Sequence, residues 1–352
     1  VAVTMQDVAR EAGVSAKTVS NAVNGTGRMS TETRRRVQDA MARLGYHVNR
    51  SAQTLRRGAA RMIGLAMPGF GQPFCATYCD NVIAAATRRG YGTAILTYAS
   101  RADGIEGIIE ETHRMDADGW ILFSNRPIPS SSPLLAQGCP IVITGDYLSH
   151  GRADVVMMPN VEAAAHVTGW LLDRGRTVAF AGAPEQWCDD RGLMDAAMAD
   201  ILRAREAGAA MRLRGYVEEF GRRGLDVDAR LVAGSHSMGV DDGIRATERL
   251  IERRAGGVAL DAIVCANDAV AIGAMTALRR AGLDVPGDVE VTGFDNASAA
   301  EYAMPPLTTI DPDIPQYAQL AVDRLIARID GDESAARTFV TDFRLVERES
   351  TR

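Results

Sequence analysis

Residues 3–25 read VTMQDVAREAGVSAKTVSNAVNG, and this stretch decides how the chain is organised. Thr4-Met5-Gln6-Asp7 fits a capping box, in which Thr4 and Asp7 each satisfy the other's backbone N–H. Val8, Ala9 and Ala12 follow as one apolar face, and Gly13 stops the segment. Ser15 is the N-cap of a second segment that turns Val19, Ala22 and Val23 inward and leaves Ala16, Lys17, Ser20 and Asn21 on the other face. Two short helices joined by a glycine-containing turn predict a helix-turn-helix, whose second helix fits the major groove of DNA. A third segment, Ser30 to Leu44, buries Val37, Ala40, Met41 and Leu44 and ends at Gly45.

Charge divides the chain at the same place. The first 60 residues hold ten Lys/Arg against four acids, a net +6, whereas the remaining 292 carry −12. A small basic head on an acidic body points to a polyanion partner for the head alone. Lys17 is the only lysine in the chain, and it lies on the outward face of the second helix. Beyond the third helix, Asn49 to Gly58 (NRSAQTLRRG) is polar and basic except for Ala52 and Leu55. By composition this is a plain linker, although a leucine between arginines also has the form of a wedge for a minor-groove base step.

The strings VTMQDVAREAGVSAKTVSNAVNG, TRRRVQDAMARLGY and NRSAQTLRRG together resemble the N-terminal domain of the LacI family of bacterial transcription regulators, in the family's order and spacing. The resemblance implies that residues 49–60 are a hinge helix, with Leu55 entering the centre of the operator and Asn49 and Ala52 beside it. It also assigns base reading to Ala16, Lys17 and Asn21. Lysine donates to guanine O6 and N7, asparagine takes adenine in a bidentate pair, and alanine touches a thymine methyl or makes room. Thr18, Ser20, Asn24 and Arg34 read as phosphate contacts that set register. Val48 departs from the family, in which proline commonly precedes the hinge.

From Met62 onward the pattern alternates strand and helix. Expected strands cover 62–67, 93–98, 119–124, 141–145, 177–182, 229–234, 262–267 and 289–294, with a last one within 337–350. The intervening helices stop on cations followed by glycine, as at Arg88-Arg89-Gly90 and Arg222-Arg223-Gly224, which suits the helix dipole and needs no DNA role. The expected class is therefore α/β: a small all-α head, residues 1–48, the hinge, and a two-lobe body of doubly wound parallel sheets over 61–352. The first lobe is assigned to about 61–160 and 291–320, and the second to about 161–290 and 321–352. Ligands in such folds sit at the carboxyl ends of strands, so the polar residues just after strands are candidates.

DADGWILFS, CPIVITGD, AIVCANDAVAIGAMTALRRAGLDVPGDVEVTGFDN and PPLTTID extend the LacI resemblance to the effector domain, which is similar to periplasmic sugar-binding proteins. That resemblance places Asp146, Asn267, Asp268 and Asp295 in an interlobe cleft with Phe74. Carboxylates and an amide suit the hydroxyls of a sugar, polyol or sugar acid. The family's ligand arginine falls at Arg212, in Arg212-Leu213-Arg214-Gly215-Tyr216, with Arg191 as the alternative. His236 stands where relatives offer an aromatic platform. The segment between Gly182 and Arg212 is longer than the pattern requires, and DAAMADILRAREAGAA (195–210) within it reads as helical.

Other classes fit less well. Gly69-Phe70-Gly71-Gln72-Pro73-Phe74 lacks the third glycine of a dinucleotide fingerprint. Ser235-His236-Ser237-Met238-Gly239 lacks the leading glycine of a nucleophile elbow. The five cysteines form no metal or disulfide pattern, so neither an enzyme nor a cofactor or metal is expected. A sugar transporter's solute-binding protein is the alternative, but the basic head and the absence of a signal-peptide pattern speak against it. No apolar run reaches the ~20 residues of a membrane span, and a cytoplasmic location is expected. The expected partners are a palindromic double-stranded operator, a small-molecule effector and a second copy of the chain. A dimer is preferred over a tetramer because Thr351 and Arg352 alone follow the last strand, leaving no heptad tail.

Overall fold

The computed structural model describes residues 3–24, 26–44, 60–99, 104–136 and 138–352, and for residues 24, 110, 111 and 113 the backbone alone. It divides into two compact units, residues 1–60 and 61–352. The first holds three helices: α1 (Met5–Ala12), α2 (Ala16–Asn24) and α3 (Thr31–Leu44). The capping box is formed, with Asp7 N–H donating to Thr4 Oγ1 at 3.3 Å and Thr4 N–H to Asp7 Oδ2 at 2.9 Å. Ser15 and Ser30 cap the next two helices by accepting from Thr18 N–H and Thr33 N–H, each at 3.1 Å. Val8, Ala9, Ala12, Val19, Val37 and Ala40 close a small core between them. Arg36 donates to Ala12 O at 2.6 Å, so this member of the Arg34-Arg35-Arg36 run ties α3 to the end of α1.

The second unit contains two six-stranded sheets. Sheet one has the order β11-β5-β4-β3-β1-β2 and is parallel throughout, built from β1 (Met62–Met67), β2 (Gly92–Thr97), β3 (Gly119–Phe123), β4 (Ile141–Thr144), β5 (Asp154–Met157) and β11 (Thr338–Val340). Sheet two has the order β12-β10-β9-β8-β6-β7, from β6 (Val178–Pro184), β7 (Val232–Ser235), β8 (Ala262–Cys265), β9 (Glu290–Phe294), β10 (Thr308–Asp311) and β12 (Arg344–Val346). In this sheet β12 alone runs antiparallel to its neighbour. Central strands are buried on both faces, which is why they read as unbroken apolar runs. Gly64 in β1 is required by packing: a Cβ there would lie 2.2 Å from the Trp120 ring of β3.

Four sequence expectations need correction. Residues 291–311, assigned to the first lobe, carry nearly all of β9 and the whole of β10 of sheet two, because β9 continues the parallel crossover that begins at β8 and pairs beside it. Residues 321–340, assigned to the second lobe, lie on sheet one: a helix over Ile314–Ile329 packs on β3, β4 and β5, and β11 follows it. The last expected strand is two short ones in different sheets. Within 195–210, only Met198–Ile201 and the start of a helix at Gly208 are helical. Ala207 sits between them at φ 66° and donates to Asp146 O at 2.8 Å, which interrupts any continuous helix.

Candidate functional site

In the head, α2 leaves Ala16 and Lys17 exposed and Thr18, Ser20 and Asn21 half-buried, while Val19 is buried beneath them. Arg34 is half-buried on α3. The outward row is therefore small, polar or cationic, and the inward row is apolar. The Asn21 amide lies within 2.8 Å of where a Cβ on Gly27 would stand, so a side chain at 27 would displace it. Asn49, Ala52 and Leu55 lie outside the described residues, as does the side chain of Asn24.

In the body, a cavity of about 740 Å³ opens where the carboxyl ends of the two sheets face each other. Phe74, Asp146, Arg212, His236, Asn267 and Asp295 all line it, although they come from segments spread over more than 200 residues. Each follows a strand or opens a helix: Phe74 in the helix Pro73–Arg88, Asp146 after β4, Arg212 in the helix Gly208–Arg222, His236 after β7, and Asp295 after β9. Asp146 and Asp295 hold left-handed backbone conformations, φ 67° and 115°, so their carboxylates are placed at some conformational cost.

Arg212 is the centre of this arrangement. It is 5% exposed, and its Nε donates to Asn160 Oδ1 at 2.8 Å and its Nη1 to Ala266 O at 2.5 Å. Nη2 lies 3.6 Å from Asp295 Oδ1, and the guanidinium carbon is 3.5 Å from the centroid of Phe294. Burial raises the Asp146 carboxyl above its ordinary range, opposed by Arg212 and by the Met158 N–H that it accepts at 2.9 Å. Burial also pushes Asp295 up to about 7, with Arg212 pulling down and Asp146 pushing further up. The cavity floor thus holds two carboxyls and one guanidinium, able to meet a ligand's hydroxyl groups as acceptors and as a donor.

Asn267 caps the helix Asp268–Arg280 by accepting from Val270 N–H at 2.8 Å, and it donates to Met238 O at 3.1 Å. Phe74 stacks on Tyr78, with ring centroids 5.8 Å apart, and forms an apolar wall with Phe123. His236 pairs through Nδ1 with Glu185 Oε2 at 2.6 Å, and that contact raises its pKa. Its ring is tied into a rim ion pair.

Asp268 is the exception among the expected cleft residues. It does not line the cavity: Oδ2 accepts from Ala297 N–H at 2.8 Å and Oδ1 from Thr309 Oγ1 at 2.6 Å, in a fully buried position. Both oxygens brace the loop that carries Asp295, and burial keeps them out of the cavity. Arg191 is exposed, pairs with Asp189 at 3.0 Å and stands away from the cavity that Arg212 lines. Sequence reasoning overlooked Gln72, Asn125, Arg126 and Tyr147, which also line it. Asn125 and Arg126 directly follow GWILFS, so the rule of polar residues after strands could have found them.

Comparison with known proteins places both units. Residues 4–49 match the model for bacterial regulatory proteins of the lacI family, and residues 190–351 match a periplasmic binding protein-like domain. The HTH-type transcriptional regulator CelR of Thermobifida fusca is 30% identical over 361 residues, covering 99% of this chain and 98% of that one. The structure of a CelR–cellobiose complex aligns with a TM-score of 0.69 at 27% identity, covering 99% of both chains. The lac repressor dimer bound to operator and the anti-inducer ONPF shares the fold, with a TM-score of 0.80 at 24% identity over 100% of this chain and 99% of that one.

Proposed function

The chain belongs to the LacI family of bacterial regulatory proteins, whose members are non-enzymatic transcription regulators, and from that premise we propose a cytoplasmic repressor whose operator affinity is set by a sugar, polyol or sugar acid bound between the two lobes. The observation that carries this reading is the cavity at the facing ends of the sheets, where Arg212, Asp146, Asn267 and Asp295 converge on the same chain as the helix-turn-helix. The bound cellobiose of the CelR structure and the operator-bound dimer of the lac repressor support the same division of labour.

The protein acts as a homodimer on a palindromic operator, because two-fold symmetry of the protein calls for two-fold symmetry of the site. In each half-site Lys17 and Asn21 read bases, Ala16 admits or touches a thymine methyl, and Thr18, Ser20, Asn24 and Arg34 hold phosphates. Asn49, Ala52 and Leu55 of the hinge meet the operator centre, with Leu55 as the wedge. Effector binding changes the angle between the lobes, and hinge order follows. Hinge order and DNA affinity are then one coupling free energy, typically about 1–3 kcal/mol.

The test is a titration of palindromic operator DNA with the full chain, with and without a panel of sugars, polyols and sugar acids. A compound that shifts the midpoint for the wild type and not for Asp295→Ala supports the cleft as the effector site. A shift that survives in Asp295→Ala moves the effector elsewhere.

A further inference from the structure

We propose that the effector carries an anionic group, a carboxylate or a phosphate, and that Arg126 binds it; this rests on the regulatory reading above and names the ligand class it leaves open. Among the described residues, three side chains able to carry a positive charge line the cavity. Arg212 is buried and committed to Asn160, Ala266 and Asp295. His236 is held by Glu185 at 2.6 Å. Arg126 is exposed to the cavity, and among the described residues its guanidinium makes no ion pair.

The described residues hold the backbone of Arg126 in place and set no carboxylate against its side chain. Ser124 Oγ donates to Arg126 O at 2.7 Å and accepts from Arg126 N–H at 3.4 Å. Tyr98 OH donates to Phe123 O at 2.6 Å, and Tyr147 OH donates to Asn125 O at 3.1 Å. Three hydroxyls thereby fix the backbone that carries Arg126. The guanidinium lies on the bare backbone of Gly104, at φ 58°: a Cβ there would stand 2.7 Å from its central carbon. Any side chain at 104 would push it aside, so glycine makes the seat.

A guanidinium presents paired N–H donors that match a carboxylate or a phosphate in a two-pronged contact. The rest of the cavity suits an anion less well, because Arg212 is already bonded and Asp146, Asp295 and Glu185 bring carboxyl groups to it. A ligand with hydroxyls at one end and an anion at the other satisfies both parts. Sugar acids and sugar phosphates have this form, whereas a neutral sugar leaves Arg126 facing water or forces it to lose hydration without compensation.

The experiment uses the full chain. Its melting temperature is measured in inorganic phosphate and in chloride at equal ionic strength, for the wild type, Arg126→Gln and Arg126→Lys. Calorimetric titrations follow with glucose against gluconate and ribose against ribose 5-phosphate. The expected result is a rise of melting temperature in phosphate for the wild type, lost in Arg126→Gln and partly kept in Arg126→Lys, with equal melting of wild type and Arg126→Gln in chloride. The charged member of a matched pair binds at least about tenfold more tightly than the neutral one, and which pair responds separates carboxylate from phosphate. Arg126→Gln responding to phosphate like the wild type overturns the inference, as does a neutral sugar binding as tightly as its charged counterpart. An equal loss of melting temperature in chloride and in phosphate makes Arg126 structural and overturns it too. Failure of the regulatory reading is seen separately, as operator occupancy that no compound of the panel alters.

Discussion

Arg212 Nη2 and Asp295 Oδ1 lie 3.6 Å apart, each side chain less than a tenth exposed, and each brought to the cavity by a different part of the second sheet's lobe. Buried charges of this kind depend on one another, because neither has water as an alternative partner. Removing one partner of a buried pair costs about 3–5 kcal/mol, much of it the penalty of the charge left behind. Arg212→Leu is therefore expected to lower the urea midpoint of the body by a corresponding amount at unchanged slope. A wild-type midpoint would mean that Asp295 is accommodated without Arg212.

Asp295 also gives the protein a pH dependence. Its folded pKa is raised to about 7, above the ordinary value near 3.8, so the folded form binds the proton more tightly than the unfolded chain. The associated stability is fully present below pH ~4 and declines as pH rises through about 7. Asp268 is raised in the same direction by burial and by Asp295, so the two contribute to one slope. Asp295→Asn is expected to flatten stability between pH 4 and pH 8, measured as denaturant midpoints across that range. An unchanged slope would place the titration on another group.

Asp268 is a brace. Asp268→Ala leaves Ala297 N–H and the Thr309 hydroxyl without their partner, at about 1–3 kcal/mol for each unsatisfied buried group. Asp268→Asn keeps one acceptor oxygen and is expected to lose less. Urea melts of both variants check the order, and equal loss in the two would mean that the carboxylate's hydrogen bonds do not carry its role.

Lys17 is exposed on α2 and is the chain's only lysine. Lys17→Ala is expected to cost about 1–3 kcal/mol on the preferred operator and to relax selection at one position of each half-site. Competition against operators varied one base pair at a time reads this out. A uniform loss on all sequences would reassign Lys17 to phosphate.

Much of this architecture was legible in the sequence, for physical reasons. The head's capping residues act within one turn of themselves, so Thr4, Asp7, Ser15 and Gly13 announce their helices locally. The apolar runs of β1, β3, β6 and β8 are equally plain, since a parallel strand buried on both faces has no polar alternation to obscure it. Asp154-Val155-Val156-Met157 was missed because four residues with an acid at the head give little pattern; that acid is bound by Arg324 and Arg328, far along the chain. The distribution of 290–340 between lobes was also hidden. Pairing partners decide it, and the sequence of β10 or β11 does not reveal its neighbour. In the site, Asp146 and Asp295 could be found as polar residues after strands, but Asp268, one residue beyond Asn267, turns toward Thr309 and Ala297, and only tertiary contacts distinguish the two.

The central claim is that ligand binding in the cleft controls DNA binding by the head, and a footprinting titration on the DNA flanking this protein's own gene tests it most directly. The titration is repeated with sugars, sugar acids and sugar phosphates, for the wild type and for Asp295→Ala. The expected result is a protected palindrome whose occupancy shifts with one compound for the wild type and stays fixed for Asp295→Ala. A protected palindrome whose occupancy no compound shifts, or shifts equally in both proteins, would contradict it.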